Sequence, residues 1–260
     1  MVNHSQCEPG GGIESAGSRL SPAPCWRRPP GHAPDFTPGS FWSSEDSMDV
    51  LAAILESVDR CELAELMQTR LFGPLGMTDS SIGVPRAKLD RVPGPSVASS
   101  FGSATLVHFQ LPYLEVPQWI SPECPCQSDL WTTAGDTLRF SQMLLAGGEL
   151  EGARVLKTES VRSMMTNRIA GMVQRPEEWP IDGYGLGLQL YRREGQPDMW
   201  GLSAWKPSSK VWRPRQHGMS SPSFFLDPTR EMIGVLAANV TKLDPFRNAV
   251  FELVEEHAGR

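Results

Sequence analysis

Apolar residues recur at helical spacing early in the chain. From Ser47 to Val58, five of them share one helical face: Val50, Leu51, Ile54, Leu55 and Val58. Asp46 or Ser47 can cap this helix. A second amphipathic helix follows, ends at Gly73-Pro74, and turns four residues inward: Leu63, Leu66, Met67 and Leu71. The two segments therefore predict a helical hairpin.

A capping box marks the start of a third helix. In Thr133-Ala-Gly-Asp136, the threonine hydroxyl can accept a hydrogen bond from the backbone N–H three residues later. The helix is predicted to end at Gly147-Gly148, and its inward residues are Leu138, Met143, Leu144 and Leu145. A shorter helix is predicted from Thr158 to Met165.

The last third of the chain has a strand pattern. Tyr184–Leu190 predicts one strand, and Ser223–Leu226 with Met232–Ala238 predicts an antiparallel hairpin closed by Asp227-Pro-Thr-Arg-Glu231. A short strand is also predicted at Ala104–Leu111. The chain closes with an amphipathic helix whose inward residues are Phe246, Ala249, Val250, Leu253 and Val254.

Glycine and proline divide the chain into regions. Residues 1–39 are rich in both and hold almost no periodic apolar residues, so we predict a mostly disordered leader. Residues 40–260 are predicted to form the folded domain, with a mainly helical lobe at about 40–175 and a sheet lobe with the terminal helix at about 176–260. Helices followed by a late antiparallel sheet predict an α+β architecture in two lobes.

Composition narrows the classes of partner. The 260 residues are 40% hydrophobic and can bury a core, but no apolar run approaches the roughly 18 to 20 residues of a membrane helix. A net charge of −6 without a Lys/Arg stripe indicates neither a nucleic-acid nor a membrane partner. Without a secretory pattern at the N-terminus, we expect a cytoplasmic protein. Cys124-Pro-Cys126 lacks a second Cys/His pair at zinc spacing, so no metal or other cofactor is expected.

Four stretches in fixed order carry a family resemblance. They are Pro38-Gly39-Ser-Phe-Trp42 to Asp49-Val50-Leu51, Leu71 to Asp79, Leu130 to Gly148, and Gly185-Leu-Gly187 with Phe224-Phe-Leu-Asp-Pro228. Together they resemble the serine β-lactamases, penicillin-binding proteins and related esterases, in particular the class C, esterase and transesterase branch. The resemblance covers about Asp35 to Arg260. It implies a β-lactamase/transpeptidase-like fold, an antiparallel sheet flanked by helices plus a mainly helical lobe, here incomplete at the N-terminus.

The resemblance implies acyl transfer and a site built from three motifs. In this family, Ser-x-x-Lys supplies the nucleophile, a tyrosine in the second motif shares the proton transfer, and the third motif ends in glycine. Alignment without a gap from Pro38 places Ser44 at the tyrosine position. Counting back from Asp227-Pro228 places the third motif on Gln216-His217-Gly218. Ser44, His217 and Gly218 are therefore the predicted remnants of the site, and Ser44 and Gly218 should face each other within roughly 20 Å.

The nucleophile motif is absent from its expected place. No lysine lies upstream of Pro38, and the one literal match is Ser203-Ala-Trp-Lys206, in the wrong order and between the late strands. A loop serine and lysine are the favoured interpretation of that match. Likewise, an exposed strand residue is the favoured interpretation of His217, although Ser203, Lys206 and His217 stay candidates for relocated catalytic groups.

Three interpretations remain open. The chain is an enzyme whose N-terminal part is missing from this version, which an in-frame Ser-x-x-Lys exon upstream of Met1 would establish. Alternatively, it is a catalytically inactive homologue that binds a ligand or partner, or an active enzyme with relocated groups. The expected ligands are small-molecule esters, lactams or other acyl compounds. In this family the N-terminal helix and strands pack beside the C-terminal strands, so the resemblance implies that a sheet edge and an apolar face are uncovered here. Such a chain should aggregate or require a protein partner that covers the incomplete sheet.

Overall fold

In the part of the chain that the structure describes, α-helices form in the regions where the sequence pattern places them. The computed structural model describes residues 37, 39–42, 47–91, 96–98, 106–107, 130–174, 182–192, 195, 197–202, 223–237, 240–241 and 253. Their α-helices are α1 (Ser47–Asp59), α2 (Leu63–Met67), α3 (Ala134–Leu145) and α4 (Thr158–Met164), and a 3-10 helix spans Arg86–Arg91. A π-helical turn, Gln68–Phe72, extends α2 and ends at Gly73. The predicted hairpin, third helix and short helix are thus confirmed as helices, but Leu138, predicted to face inward on the third helix, is 39% exposed.

Short strands form one central sheet and several smaller pairings. The strands are β1 (Phe41–Trp42), β2 (Ser81–Ile82), β3 (Ser96–Ala98), β4 (Leu106–Val107), β5 (Leu130–Trp131), β6 (Glu149–Leu150), β7 (Ala153–Arg154), β8 (Val173–Gln174), β9 (Gly183–Tyr184), β10 (Gln189–Tyr191), β11 (Met199–Leu202), β12 (Ser223–Asp227), β13 (Met232–Leu236) and β14 (Val240–Thr241). The central sheet is antiparallel in the order β13-β12-β11-β10-β9. The other pairings are β1 with β8, β2 with β5, β6 with β7, and β3 with β14 and β4.

The two faces of the central sheet bury different residues. Alternation along β12 sends Phe224 and Leu226 to one face and Phe225 to the other. The first face joins the main core, whose buried members are Phe72, Leu75, Met77, Met143, Leu144, Val161, Leu188, Leu190, Trp200, Phe224 and Leu226. Helix α3 covers this face, where Phe140 meets Phe224 edge-to-face with ring centroids 6.0 Å apart. The confirmed α+β architecture therefore rests on helix-to-sheet packing.

The predicted strand at Tyr184–Leu190 is wrong in one respect. The segment folds back on itself as two short antiparallel strands, β9 and β10, with Gln189 opposite Tyr184. Gly187, at φ +82°, lies in the connecting turn, a conformation that residues with a side chain rarely adopt. The alternating apolar residues indicated a strand correctly, but the turn depends on a glycine within the run.

The orientation of α1 also differs from the usual arrangement of an amphipathic helix. Leu51, Ile54 and Val58 are 50%, 53% and 73% exposed. The opposite face is held by two carboxylates: Glu56 Oε1 accepts the Leu63 N–H at 2.9 Å, and Asp59 Oδ1 pairs with Arg70 Nη2 at 2.7 Å. These contacts join the polar face of α1 to α2 and the π-helical turn, and the apolar stripe lies on the other side of the helix.

This exposure predicts which substitutions the fold tolerates. We expect Ile54→Gln to change the free energy of unfolding by less than about 1 kcal/mol, because the isoleucine side chain buries only part of its surface. Leu75→Ala, at a fully buried position, should cost about 2 to 5 kcal/mol. Chemical denaturation measures both, and binding of a hydrophobic dye should fall in Ile54→Gln. A large loss of stability in Ile54→Gln would contradict the outward orientation.

Two further features bear on the predictions from sequence. In the predicted terminal helix, the structure describes Leu253, which is helical but 55% exposed, so the inward orientation predicted for it is wrong. Among the described residues, no helix has both the length and the hydropathy needed to cross a membrane.

Candidate functional site

The predicted site residues lie outside the part of the chain that the structure describes. This holds for Ser44, His217 and Gly218, and also for Ser203 and Lys206. Described residues adjoin two of these positions. Trp42 precedes Ser44 by two positions, and Leu202, the last residue of β11, immediately precedes Ser203. The expected approach of Ser44 to Gly218 therefore stays a prediction.

An aromatic contact joins the first resemblance stretch to the central sheet. Trp42 on β1 and Tyr184 on β9 have ring centroids 5.2 Å apart, with the ring planes tilted by 45°. Both side chains are partly exposed. Trp42 is held by the parallel pairing of β1 with β8, where it lies opposite Gln174. The segment that leads to Ser44 is thus fixed against the β9 edge of the central sheet.

Asn167 positions Tyr184 through backbone hydrogen bonds. Its Oδ1 accepts the N–H groups of Ile169 and Tyr184, each at 3.2 Å. The Arg168 N–H donates to the Tyr184 carbonyl at 2.7 Å. Tyr184 is therefore held on both sides, by these bonds after α4 and by its pairing with Gln189 in β10.

Two glycines permit this close approach. A Cβ atom on Gly183 would lie 2.6 Å from the Asn167 side chain, and one on Gly185 would lie 1.7 Å from the Met164 carbonyl oxygen. The Leu186 N–H donates to the same carbonyl at 3.2 Å. The Gly-Tyr-Gly sequence thus places one large side chain between two positions that have no room for any.

The chemistry of Tyr184 differs from that expected of the second-motif tyrosine. Burial raises the pKa of the Tyr184 phenol above its usual range, because the phenolate would lose solvation. The hydroxyl therefore stays protonated at neutral pH and can donate or accept a hydrogen bond. A raised pKa opposes a role as general base.

A buried carboxylate joins the second and third resemblance stretches. Asp136 Oδ2 accepts the Asp79 N–H and the Ser80 hydroxyl, each at 2.8 Å. The Asp136 N–H in turn donates to Thr133 Oγ1 at 3.2 Å, which confirms the predicted cap of α3. These bonds attach the start of α3 to the Asp79-Ser80 segment, so Asp136 has a structural role.

The Asp79 side chain belongs to an exposed ion cluster. Hydrogen bonds from Arg91 first, and then from Lys88, hold the pKa of the Asp79 carboxyl well below its usual range. Lys88 Nζ lies 2.9 Å from Oδ1, and Arg91 Nη2 lies 3.0 Å from Oδ2. The cluster contributes stability above the ordinary aspartate pKa and loses it as the pH falls through the lowered value.

Within the described ranges, no three His, Cys, Asp or Glu side chains converge as metal ligands. Cys124 and Cys126 lie outside those ranges.

The family is decided by a match along nearly the whole sequence. The family model described as Beta-lactamase matches residues 11–259. The chain belongs to the β-lactamase family. The resemblance identified from the four sequence stretches is confirmed.

This β-lactamase-family chain is similar to known proteins in sequence and in fold. Protein Rv1367c of Mycobacterium tuberculosis (strain ATCC 25618 / H37Rv) is 31% identical over 159 residues, which are 59% of this chain and 38% of the relative. Simvastatin Synthase (LovD) from Aspergillus terreus is similar with a TM-score of 0.59 at 16% identity, over 82% of this chain and 54% of that one. EstCE1, a hydrolase with promiscuous acyltransferase activity, is similar with a TM-score of 0.58 at 17% identity, over 82% of this chain and 55% of that one.

These similarities confirm the β-lactamase/transpeptidase-like fold. The chain spans 38% of the length of Rv1367c and about half of each of the two structural neighbours. Sequence patterns had not identified the Trp42–Tyr184 contact or the role of Asn167. A tyrosine between two glycines was the available indication, since such spacing often marks a close backbone approach.

Proposed function

We propose that this chain is a β-lactamase-related serine hydrolase or transesterase homologue that lacks the nucleophile motif. The family match over residues 11–259 is the observation that carries the proposed chemistry, acyl transfer on an ester or lactam. The similarity of its fold to a hydrolase with acyltransferase activity supports the same class. The sequence supports the absence of the motif, because its single Ser-x-x-Lys is Ser203-Ala-Trp-Lys206.

The proposed family reaction has two steps. A serine hydroxyl attacks the carbonyl carbon and transfers its proton to a neighbouring base, while the alcohol or amine leaves. The acyl group then passes from the serine to water or to an acceptor alcohol, which regenerates the hydroxyl. A chain without the nucleophile can bind the acyl compound but cannot form this covalent intermediate.

Ser203 is the residue to test as a relocated nucleophile. It directly follows Leu202 at the end of β11, in the middle of the central sheet order. The family motif instead places the serine at the start of a helix, with the lysine one turn later. This difference favours a chain without acyl-enzyme chemistry over one with relocated groups.

The second candidate function is ligand or partner binding by a catalytically inactive homologue. The Trp42–Tyr184 contact favours it, since pairing with β8, the Asn167 bonds and two glycines hold these rings without any catalytic side chain. Such a framework can persist after the chemistry is lost.

Covalent labelling tests the proposed function. We expect the purified chain to give no burst with a chromogenic ester or lactam and no stoichiometric adduct with a fluorophosphonate or a penicillin by intact mass. Loss of a nucleophile typically costs several powers of ten in rate. A competent serine hydrolase treated in parallel controls for probe quality.

The position of any adduct distinguishes the alternatives. An adduct on Ser203 that disappears in Ser203→Ala would establish relocated groups. A stoichiometric adduct on another serine would overturn the proposal directly.

A further inference from the structure

We propose that the exposed apolar face of α1 packs antiparallel against α1 of a second copy of this chain. Three residues define this α1 seam: Leu51, Ile54 and Val58. The inference goes beyond the proposed function, because it uses no residue of the candidate site and assigns no chemistry. It names a self-association surface and the partner that fits it.

The α1 seam is exposed along two turns of one helix. Each of its three residues has between half and three-quarters of its surface accessible to solvent. The other side of α1 is already occupied, since Glu56 and Asp59 contact α2 and the π-helical turn. Rotating α1 to bury the seam within the same fold would break both contacts. Coverage by a second molecule removes the seam from water without disturbing them.

The spacing of the seam fits a helix as the partner. Its residues recur at i, i+3 and i+7, which is the a-d-a spacing of a helix–helix interface. Side chains at such positions insert between those of a facing helix whose axis lies about 8 to 10 Å away. A stripe this narrow fits one helix better than a sheet or a loop.

The absence of charge along the seam favours an identical helix. Between Leu51 and Asp59, the ionisable residues are Glu56 and Asp59, and both are engaged on the other side of α1. Ser57, which is exposed beside the seam, is neutral. Charges beside a seam usually select a different helix as the partner, and like charges keep identical helices apart. The described part of α1 has neither kind of charge on this face.

A two-fold axis matches the seam to itself. In an antiparallel pair, Ile54 lies beside its own counterpart, and Leu51 lies beside the second copy's Val58. Both copies therefore offer the same surface, and the pairing closes at two molecules without leaving another seam exposed.

The size of the seam implies a weak dimer. Three partly exposed residues supply a few hundred Å² of apolar area per copy, which is less than the roughly 800 Å² per partner of a stable complex. We expect a dissociation constant on the order of 100 µM.

Sedimentation velocity of the whole chain, from about 5 to about 500 µM, tests the seam. The wild-type chain should shift from monomer to dimer across this range. Ile54→Lys and Ile54→Glu should each stay monomeric, because either change brings two like charges together at the axis. An equimolar mixture of these variants should associate again, because opposite charges then face each other. Leu186→Lys, at a similarly exposed leucine in the turn after β9, is the matched control and should dimerise like the wild type.

Three results would overturn the proposal. They are a wild-type chain that stays monomeric at about 500 µM, association that persists in Ile54→Lys, and a mixture of the two Ile54 variants that fails to associate. Persistence in Ile54→Lys is the result expected if an open sheet edge joins the copies.

A second pair of variants serves if the Ile54 variants do not fold. Leu51→Glu and Val58→Lys should each weaken dimerisation at least about tenfold, because each places a charge against an apolar side chain of the other copy. Mixing the two should restore association, since the new charges then lie beside each other across the axis. A mixture that associates no better than either variant alone would contradict the antiparallel pairing.

Discussion

Gly185→Ala is expected to destabilise the chain by about 3 kcal/mol or more, which corresponds to a fall of roughly 10 °C in Tm. The added Cβ would lie 1.7 Å from the Met164 carbonyl oxygen and 2.8 Å from its carbon. Relief requires the turn after β9 to move away from α4, which would break the Leu186 N–H bond to the Met164 carbonyl. Chemical and thermal denaturation measure the loss.

Gly187→Ala is the matched control for this variant. A Cβ on Gly187 would meet no atom within 4 Å, but the residue has φ +82°. Its substitution should therefore cost only the backbone strain, about 1 kcal/mol. Equal losses in the two variants would mean that the turn conformation, and not contact with Met164, limits the position.

Asp136→Ala is expected to cost about 3 kcal/mol in the free energy of unfolding. The substitution removes the acceptor of the partly buried Asp79 N–H and one of the two partners of the buried Ser80 hydroxyl, which keeps Thr132 Oγ1 at 2.8 Å, and a lost buried hydrogen bond typically costs about 1 to 3 kcal/mol. It also removes an acidic residue from the first turn of α3, where negative charge is favourable. Urea denaturation measures the loss.

A double-mutant cycle tests the assigned contact. Asp136→Ala and Ser80→Ala should be less destabilising together than the sum of the single losses, because the two side chains share one hydrogen bond. Strict additivity would show that the Asp136 effect arises elsewhere. Thr133→Ala is a useful comparison, since it removes only the cap of the same helix and should cost about 1 kcal/mol.

Local sequence rules predicted the elements whose causes are local. The third helix begins at Ala134 because Thr133 caps it, and α2 with its π-helical turn ends at the predicted Gly73. The β12–β13 hairpin formed because its two strands flank a short turn that begins with Asp227. In each case, the residues that define the element lie within a few positions of one another.

Other features depend on contacts between distant residues. The parallel pairing of Phe41 with Val173 links segments separated by most of the helical region, and two-residue strands have no periodicity to detect. The exposure of Leu51, Ile54 and Val58 on α1 is likewise a tertiary feature, because periodicity shows that a helix has an apolar face but not which way that face points. The contact of Trp42 with Tyr184 at the candidate site could not be predicted from sequence for the same reason, because it joins residues far apart in the chain.

The lengths of the paired strands imply unequal resistance to local opening across the central sheet. β12 and β13 pair over five residues, whereas β9 pairs with β10 over two. Amide protons on the β9 side can therefore exchange with solvent after few bonds break, while those of β12 require opening of the core. Tyr184 thus lies on the edge of the sheet with the fewest paired residues, where bonds to Asn167 and Arg168 supplement the short pairing with β10.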